Sequence, residues 1–90
     1  MSYEIRLTPS AESDLSRLDK ADARMIIKKL RYYESLSSPL QEAKALKGEF
    51  KGYYRFRAGK YRAIFIKAKG GEIIILHILK ILHRKDVYRI

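Results

Sequence analysis

The sequence contains no cysteine and no tryptophan, and only two of its 90 residues are proline. The absence of cysteine excludes disulfides, thiolate nucleophiles and cysteine-ligated zinc or iron–sulfur sites, and it is typical of the reducing cytoplasm. The longest apolar stretch, residues 73–79, is interrupted by His77 and is far shorter than the roughly 18 residues of a membrane span. Residues 1–10 contain charges and no apolar segment typical of a secretory signal. We therefore expect one soluble cytoplasmic domain spanning residues 1–90.

Motifs for metal, nucleotide and triad chemistry are also missing from the sequence. The two histidines, His77 and His83, are six residues apart and have no HExxH pattern and no nearby serine. This argues against a zinc hydrolase and against a serine triad. Neither GxxxxGK[ST] nor GxGxxG occurs, and the Gly70-Gly71 pair is typical of a hairpin turn. We expect neither a metal nor a cofactor.

Positive charge is abundant and unevenly distributed along the chain. Twenty Lys and Arg against ten Asp and Glu give a formal net charge of +10. Residues 1–46 carry eight basic and seven acidic side chains, whereas residues 47–90 carry twelve basic and three acidic ones. The two halves therefore have net charges of +1 and +9. A field of this sign and strength makes polyanions the first candidate partners.

The periodicity of apolar residues predicts the element order β-α-α-β-β-β. Residues 3–8 alternate as a strand, and residues 9–36 have the 3.6-residue period of a helical hairpin, with Thr8 and Asp19 as predicted N-caps. A connector follows at 40–52, in which Leu46 and Phe50 are expected to be anchors. Further strands are predicted at 53–58, 60–67 and 72–79. Short connections favour antiparallel pairing, so the predicted fold is α+β, a helical hairpin packed on an antiparallel sheet.

Strand alternation separates cations from core residues in the first strand after the connector. Tyr53, Arg55 and Arg57 share one face, and Tyr54, Phe56 and Ala58 share the other. Arginine presents a planar fork to phosphate, and tyrosine offers a ring on which a base can stack. An RNA 2′-hydroxyl can itself attack its phosphodiester, a route that needs a proton acceptor, cations and an acid. Composition leaves an RNA-binding surface and a ribonuclease both open.

Three segments carry a resemblance to a known family. The sequence reads LKG at 46–48, GYYRFRAGKYRAIF at 52–65 and HRKDVYR at 83–89. In this order, and together with the predicted β-α-α-β-β-β arrangement, they resemble the RelE toxins of the RelE/ParE superfamily of type II toxin–antitoxin systems. The resemblance spans nearly the whole chain, so a single RelE-like toxin domain is expected over 1–90.

This resemblance implies a ribosome-dependent endoribonuclease. RelE toxins cut messenger RNA in the ribosomal A site, by 2′-hydroxyl attack and without metal, and are neutralised by a RelB-like antitoxin. The implied partners are thus an acidic, partly disordered antitoxin, the ribosome and mRNA, and no membrane. The residues that match the family's catalytic positions are Arg57, Arg62, His83, Arg84 and Tyr88. Those expected to bind RNA are Arg55, Lys60, Lys85 and Arg89.

The matched positions imply individual roles, with the general base left open. Arg62 is the expected phosphate clamp, Arg84 a leaving-group acid or charge stabiliser, and Tyr88 a residue that stacks on or orients the nucleotide. Arginine stands where family members commonly carry a lysine base, and arginine accepts protons poorly. Histidine titrates near neutral pH, which makes His83 a candidate base, or else a phosphate-binding residue.

Two other functions remain open on the same scaffold. A ParE-like toxin would inhibit DNA gyrase and would not be an enzyme. A non-catalytic module would bind RNA or the ribosome without cleaving anything. The combined presence of basic residues, His83 and Tyr88 favours the ribonuclease, since a gyrase inhibitor does not require a phosphate-clamping set.

Overall fold

The structure, a computed structural model, describes residues 2–87. It consists of a mixed five-stranded sheet with a pair of helices packed on one face. The strands are β1 (Ser2–Leu7), β2 (Lys44–Ala45), β3 (Tyr54–Ala58), β4 (Tyr61–Gly70) and β5 (Ile73–His83). The helices are α1 (Pro9–Ser16), α2 (Lys20–Ser35) and a short α3 (Arg84–Val87). Two 3₁₀ turns, Pro39–Glu42 and Gly48–Phe50, flank β2. Among the described residues, no helix is long and apolar enough to cross a bilayer.

The order of the strands confirms the predicted meander and corrects the predicted sheet type. The sheet runs β1-β5-β4-β3-β2, with antiparallel pairs from β2 to β5. β1 lies at the edge beside β5 and is parallel to it, so the sheet is mixed and not antiparallel throughout. Short hairpins force antiparallel pairing only between the strands that they join. β1 is followed by two helices, and its alternation carries no information about its partner.

The connector and the strand ends also differ from the sequence prediction. Residues 40–52 contain β2, which pairs with β3, where only a connector was expected. β4 and β5 extend to Gly70 and His83, beyond the predicted ends at 67 and 79. Mutual pairing along nearly their full length supplies hydrogen bonds to residues 68–70 and 80–83, where apolar and polar residues do not alternate.

Both helices begin at the predicted N-cap residues, and one of these residues makes the expected capping hydrogen bond. Thr8 Oγ1 accepts from the N–H of Ala11 at 3.3 Å and donates to the carbonyl of Ile78 at 2.8 Å. Thr8 therefore caps α1 and ties its start to β5. Asp19 occupies the N-cap position of α2, but its side chain makes no capping hydrogen bond.

The core lies between the helical pair and one face of the sheet. Fully buried side chains from α1 and α2 meet those of β3, β4 and β5. The largest of them are Ile26, Phe56, Phe65, Leu76 and Ile78. The opposite face of the sheet carries the residues of the alternate parity, and these include the arginines predicted to bind substrate.

A β-bulge in β5 reverses which residues face the helices. Phe65 pairs with Ile78 and Ile64 pairs with Lys80, which leaves Leu79 as an extra residue. One extra residue shifts the alternation of everything after it. Just beyond the bulge, the N–H of Ile81 donates to Asp14 Oδ2 at 2.9 Å. Asp14 in α1 therefore holds the shifted end of β5 in place.

Replacing Asp14 with Ala is expected to lower the free energy of unfolding by about 1.5–3 kcal/mol, the usual range for a hydrogen bond to a charged group. Its carboxylate is largely buried and its partner is a backbone amide. Ser13→Ala on the exposed side of α1 should change stability by less than about 0.5 kcal/mol. Urea denaturation of both variants measures the difference, and equal stabilities would contradict this role for Asp14.

Candidate functional site

Three arginines lie together on the face of the sheet that the helices leave uncovered. Arg55 and Arg57 alternate with the buried Phe56 and Ala58 in β3, as the sequence predicts. Arg62 in β4 is directly opposite Arg57. Side chains of cross-strand partners have Cβ atoms about 4.5–5.5 Å apart, so the pairing brings these guanidinium groups to one place.

The arginines form the wall of a small open cleft. The cleft has a volume of about 210 Å³ and is lined by Glu42, Lys44, Arg55, Arg57 and Arg62. We call this set the arginine cleft. Lys44 is placed by its pairing with Arg55 across β2 and β3, and Glu42 is the last residue of the 3₁₀ turn just before β2.

The charges of the arginine cleft favour an anion. Its four cations and one carboxylate give a formal charge of +3. Within residues 2–87, neither Arg55 nor Arg57 takes part in an ion pair, so their donors are available to a ligand. Guanidinium forks bind phosphate oxygens in pairs, whereas a lone carboxylate among them can accept a proton. The arginine cleft can therefore hold a phosphodiester next to a carboxylate that acts as proton acceptor.

The hairpin between β3 and β4 orients Arg62. Arg62 Nη1 donates to the carbonyl oxygens of Gly59 and Tyr61, at 3.0 and 2.8 Å. Gly59 has a φ of +59°, and a Cβ there would lie 2.9 Å from the Met25 methyl group. The left-handed backbone favours glycine, and a larger residue would also require the flexible end of the Met25 side chain to shift. The turn therefore positions one side chain of the arginine cleft.

An aromatic stack in the core lies on the helix side of the sheet, behind the arginine cleft. The rings of Tyr33 and Phe56 are 4.3 Å apart and nearly parallel, and Phe65 continues the stack at 4.4 Å from Phe56. The Tyr33 hydroxyl donates to the carbonyl of Arg57 at 2.7 Å. Burial raises the pKa of Tyr33, and the charge of Glu42 acts in the same direction. Helix α2 thus anchors the backbone that carries Arg57.

Tyr33→Phe is expected to lower the unfolding free energy by about 1 kcal/mol at neutral pH, because the Arg57 carbonyl loses its partner. A raised pKa in the folded state also means that the Tyr33 contribution is complete below the ordinary value of 10.0 and is lost as the pH rises through the folded pKa. The stability of the wild type should therefore fall more steeply above pH 10 than that of Tyr33→Phe. Denaturation curves across this range test the difference, with the exposed neighbour Tyr32→Phe as a control; identical slopes for wild type and Tyr33→Phe would refute it.

Within residues 2–87, the C-terminal candidates do not line the arginine cleft, although the backbone of Arg84 contacts the same β3–β4 hairpin as Arg62. His83 is opposite Tyr61, on the side of the sheet that bears the helices, with ring centroids 5.6 Å apart. Its Nδ1 accepts from the N–H of Lys85 at 3.2 Å. The N–H of Arg84 donates to the carbonyl of Lys60 at 2.7 Å, which holds α3 against the β3–β4 hairpin. Lys60, Arg84 and Lys85 are all exposed.

The structure thus brings together three of the predicted site residues, Arg55, Arg57 and Arg62. His83, Lys60, Arg84 and Lys85 lie around the end of the sheet where β4 begins and β5 ends, and their roles stay predictions. Tyr88 and Arg89 fall outside the described residues.

Two lining residues of the arginine cleft, Glu42 and Lys44, are absent from the sequence prediction. Both lie in the segment that was predicted as a connector. The two-residue strand β2 is too short for alternation to be recognised. The available signal is weak: Lys44 and Leu46, the first residue of the LKG segment, have the spacing of side chains on one face of a strand.

Known proteins match this chain both in a sequence family model and in fold. The family model for the ParE toxin of the type II toxin-antitoxin system, parDE, matches residues 5–88. No curated protein matches the chain in sequence.

Solved structures with similar folds include toxins in complex with antitoxins. The RelBE2 complex from Mycobacterium tuberculosis matches with a TM-score of 0.67 and 24% identity, covering 93% of this chain and 100% of that one. The archaeal RelE-RelB complex from Pyrococcus horikoshii has a TM-score of 0.61 and 23% identity, covering 93% and 97%. The RelB-RelE complex from Methanococcus jannaschii has a TM-score of 0.55 and 28% identity, covering 92% and 94%.

Proposed function

The chain belongs to the ParE toxin family of type II toxin–antitoxin systems, within the RelE/ParE superfamily, and from that premise we propose that it is a ribosome-dependent endoribonuclease that cleaves messenger RNA in the A site. The observation that carries this proposal is the arginine cleft, which is lined by three arginines and one glutamate. A protein that only inhibits another protein needs no such combination of phosphate-binding cations and a proton acceptor.

Cleavage in the arginine cleft proceeds by attack of the RNA on itself. The Glu42 carboxylate accepts the proton of the 2′-hydroxyl, and O2′ forms a bond to the adjacent phosphorus. Arg57 and Arg62 stabilise the negative charge that builds on the phosphorane oxygens. The P–O5′ bond then breaks, O5′ takes a proton from water, and the proton held by Glu42 neutralises the hydroxide that remains. Arg84, whose backbone contacts the same hairpin as Arg62, stabilises the charge on O5′. The products are a 2′,3′-cyclic phosphate and a 5′-hydroxyl end.

Glu42 is the stronger base candidate because of its position. It lines the arginine cleft, whereas His83 lies on the opposite side of the sheet with its Nδ1 already accepting a hydrogen bond. A general base must come within hydrogen-bond reach of the proton that it removes. His83 retains the other role considered for it, contact with an RNA phosphate at the end of the sheet.

The expected protein partner is a RelB-like antitoxin. Similar folds occur in RelB-RelE complexes, and the net charge of +10 favours an acidic partner. An antitoxin that covers the arginine cleft would prevent both RNA binding and cleavage.

Primer extension on a defined messenger RNA in a purified translation system tests the proposed function. The wild type should produce new 5′ ends at A-site codons only when ribosomes are present, with cyclic phosphate on the upstream fragment. Arg84→Ala should reduce these ends while ribosome binding persists. Intact messenger RNA at saturating wild-type protein would reject the nuclease.

One observation favours a second function, namely the family that the matching model describes. That model describes ParE toxins, and a ParE-like chain would inhibit DNA gyrase. Incubation with gyrase and supercoiled plasmid distinguishes the two, since the inhibitor causes gyrase-dependent DNA damage and leaves messenger RNA whole. A non-catalytic RNA-binding or ribosome-binding module would bind in an Arg84-dependent manner and yield no product in either assay.

A further inference from the structure

An apolar groove adjoins the arginine cleft on the same face of the sheet. The groove has a volume of about 340 Å³, at the small end of the range of about 300–1,000 Å³ for pockets that bind small molecules. Its apolar walls come from the connector, β4 and β5. We call it the apolar groove, and its principal lining residues are Leu46, Phe50, Tyr53, Ile64, Leu79 and Leu82.

The two sites share a border, which follows from the strand register. Ile64 of the apolar groove is directly opposite Arg55 of the arginine cleft. Leu82 is likewise opposite Arg62. Cross-strand neighbours have Cβ atoms about 4.5–5.5 Å apart, so a ligand in one site touches the edge of the other. Lys80, opposite Ile64, adds a cation to the lining of the apolar groove.

Two aromatic rings line the end of the apolar groove formed by the connector. Phe50 and Tyr53 have ring centroids 6.3 Å apart at 57° and are both half-buried. Tyr53 is two residues before Arg55, so a ring and a guanidinium follow each other on one face. Aromatic platforms beside a cationic track are the usual means of holding single-stranded RNA, with bases on the rings and phosphates on the cations.

We propose that the apolar groove is a base-binding subsite for the nucleotide whose phosphate occupies the arginine cleft. This inference rests on the proposed function and extends it to the substrate. A nucleotide carries an anionic group and a flat apolar ring joined through one sugar, which matches a cationic site and an apolar site that share a border. A helix from a partner protein would need a row of anchor pockets at i, i+3, i+4 and i+7, and this compact groove is better matched to one ring system.

The chemistry of the lining predicts how bases are selected. Among the lining side chains, the polar groups are the Tyr53 hydroxyl and the Lys80 ammonium. Without a set of fixed donors and acceptors, the subsite reads ring size and stacking, and not the hydrogen-bonding edge of the base. Cleavage should therefore favour a purine over a pyrimidine at this position, with little difference between adenine and guanine.

Binding of short 2′-O-methyl RNA, which cannot be cleaved, tests the subsite by fluorescence anisotropy. The probes are a trinucleotide and a matched sugar–phosphate chain that lacks bases. The wild type should bind the trinucleotide roughly tenfold more tightly, within the range found for base stacking on aromatic side chains. Tyr53→Ala and Leu82→Ala should lose most of that gain and bind the base-free chain as the wild type does. Tyr32→Ala, which removes an exposed ring on α2, should retain the gain.

Each result has a defined meaning. If Tyr53→Ala and Leu82→Ala both keep the full preference for the trinucleotide over the base-free chain, the subsite is overturned. It is also overturned if a groove variant loses only affinity for the antitoxin, which would identify a protein-docking site. If a groove variant is destabilised, Tyr53→Phe replaces it in the test, because this variant keeps the ring. Tyr53→Phe should keep the preference for the trinucleotide, and a folded Tyr53→Phe without that preference overturns the stacking role. Base-dependent binding without ribosomal cleavage rejects the nuclease and leaves the subsite standing. Cleavage that is unaffected by groove variants rejects the subsite alone.

Discussion

Glu42→Gln is expected to lower the rate of ribosome-dependent messenger RNA cleavage by about 10²–10⁴-fold, the usual contribution of a general base. Glutamine preserves the size and shape of the side chain but cannot accept the 2′-hydroxyl proton. The surrounding cations remain, so binding to ribosomes should be nearly unchanged or slightly tighter. Single-turnover cleavage on programmed ribosomes measures the chemical step apart from binding.

Glu49→Gln provides the matched control for this change. Glu49 is an exposed acid in the neighbouring 3₁₀ turn and does not line the arginine cleft, so the same loss of charge there should leave the rate intact. His83→Gln tests the alternative base. If His83→Gln abolishes cleavage and Glu42→Gln does not, the proton acceptor is His83 and the geometry of the bound complex differs from that of the free protein.

Arg57→Ala is expected to reduce cleavage by about 10²–10³-fold, comparable to removing one donor from an oxyanion hole. Arg57 is exposed, and its structural contact is made by its backbone carbonyl, which accepts from Tyr33. The substitution therefore removes the guanidinium and leaves the support of β3 in place. Arg57→Lys should recover only part of the activity, because the charge returns without the planar fork.

Arg24→Ala controls for the loss of one positive charge. Arg24 lies exposed on α2, and its removal should leave the single-turnover rate near that of the wild type. Thermal unfolding of both variants separates a catalytic loss from a folding defect. Equal rates for Arg57→Ala and Arg24→Ala would show that only the overall charge of the protein matters, and that the arginine cleft is not the active site.

Strand alternation accounts for the part of the site that the sequence predicts. Arg55 and Arg57 face away from the core because Phe56 and Ala58 face into it, and this parity is a local property of an extended chain. The hairpin at Gly59 then brings Arg62 opposite Arg57. Neighbouring strands joined by a short turn leave little freedom, so three arginines in one cleft follow from the sequence nearly unaided.

The β-bulge at Leu79 shows where such reasoning ends. Uninterrupted alternation from Leu76 and Ile78 would place His83 on the face that carries the arginines. The extra residue moves His83 to the helix side and turns Leu82 toward the open face. The bulge leaves no mark in the hydrophobic pattern, because its stabilising partner is Asp14, 67 residues from Ile81 in the chain.

The sequence by itself determined α1, α2, four of the five strands and their order along the chain, and the buried faces of α1, α2 and β3, because periodicity, caps and turns act over a few residues. The family followed from the resemblance of residues 46–48, 52–65 and 83–89. Only the tertiary structure decided that β1 runs parallel at the edge of the sheet, that Glu42 and Lys44 join the arginine cleft, and that His83 lies on the far side from it. These features depend on pairing between distant segments, where direction and register are chosen by the packing of the whole chain.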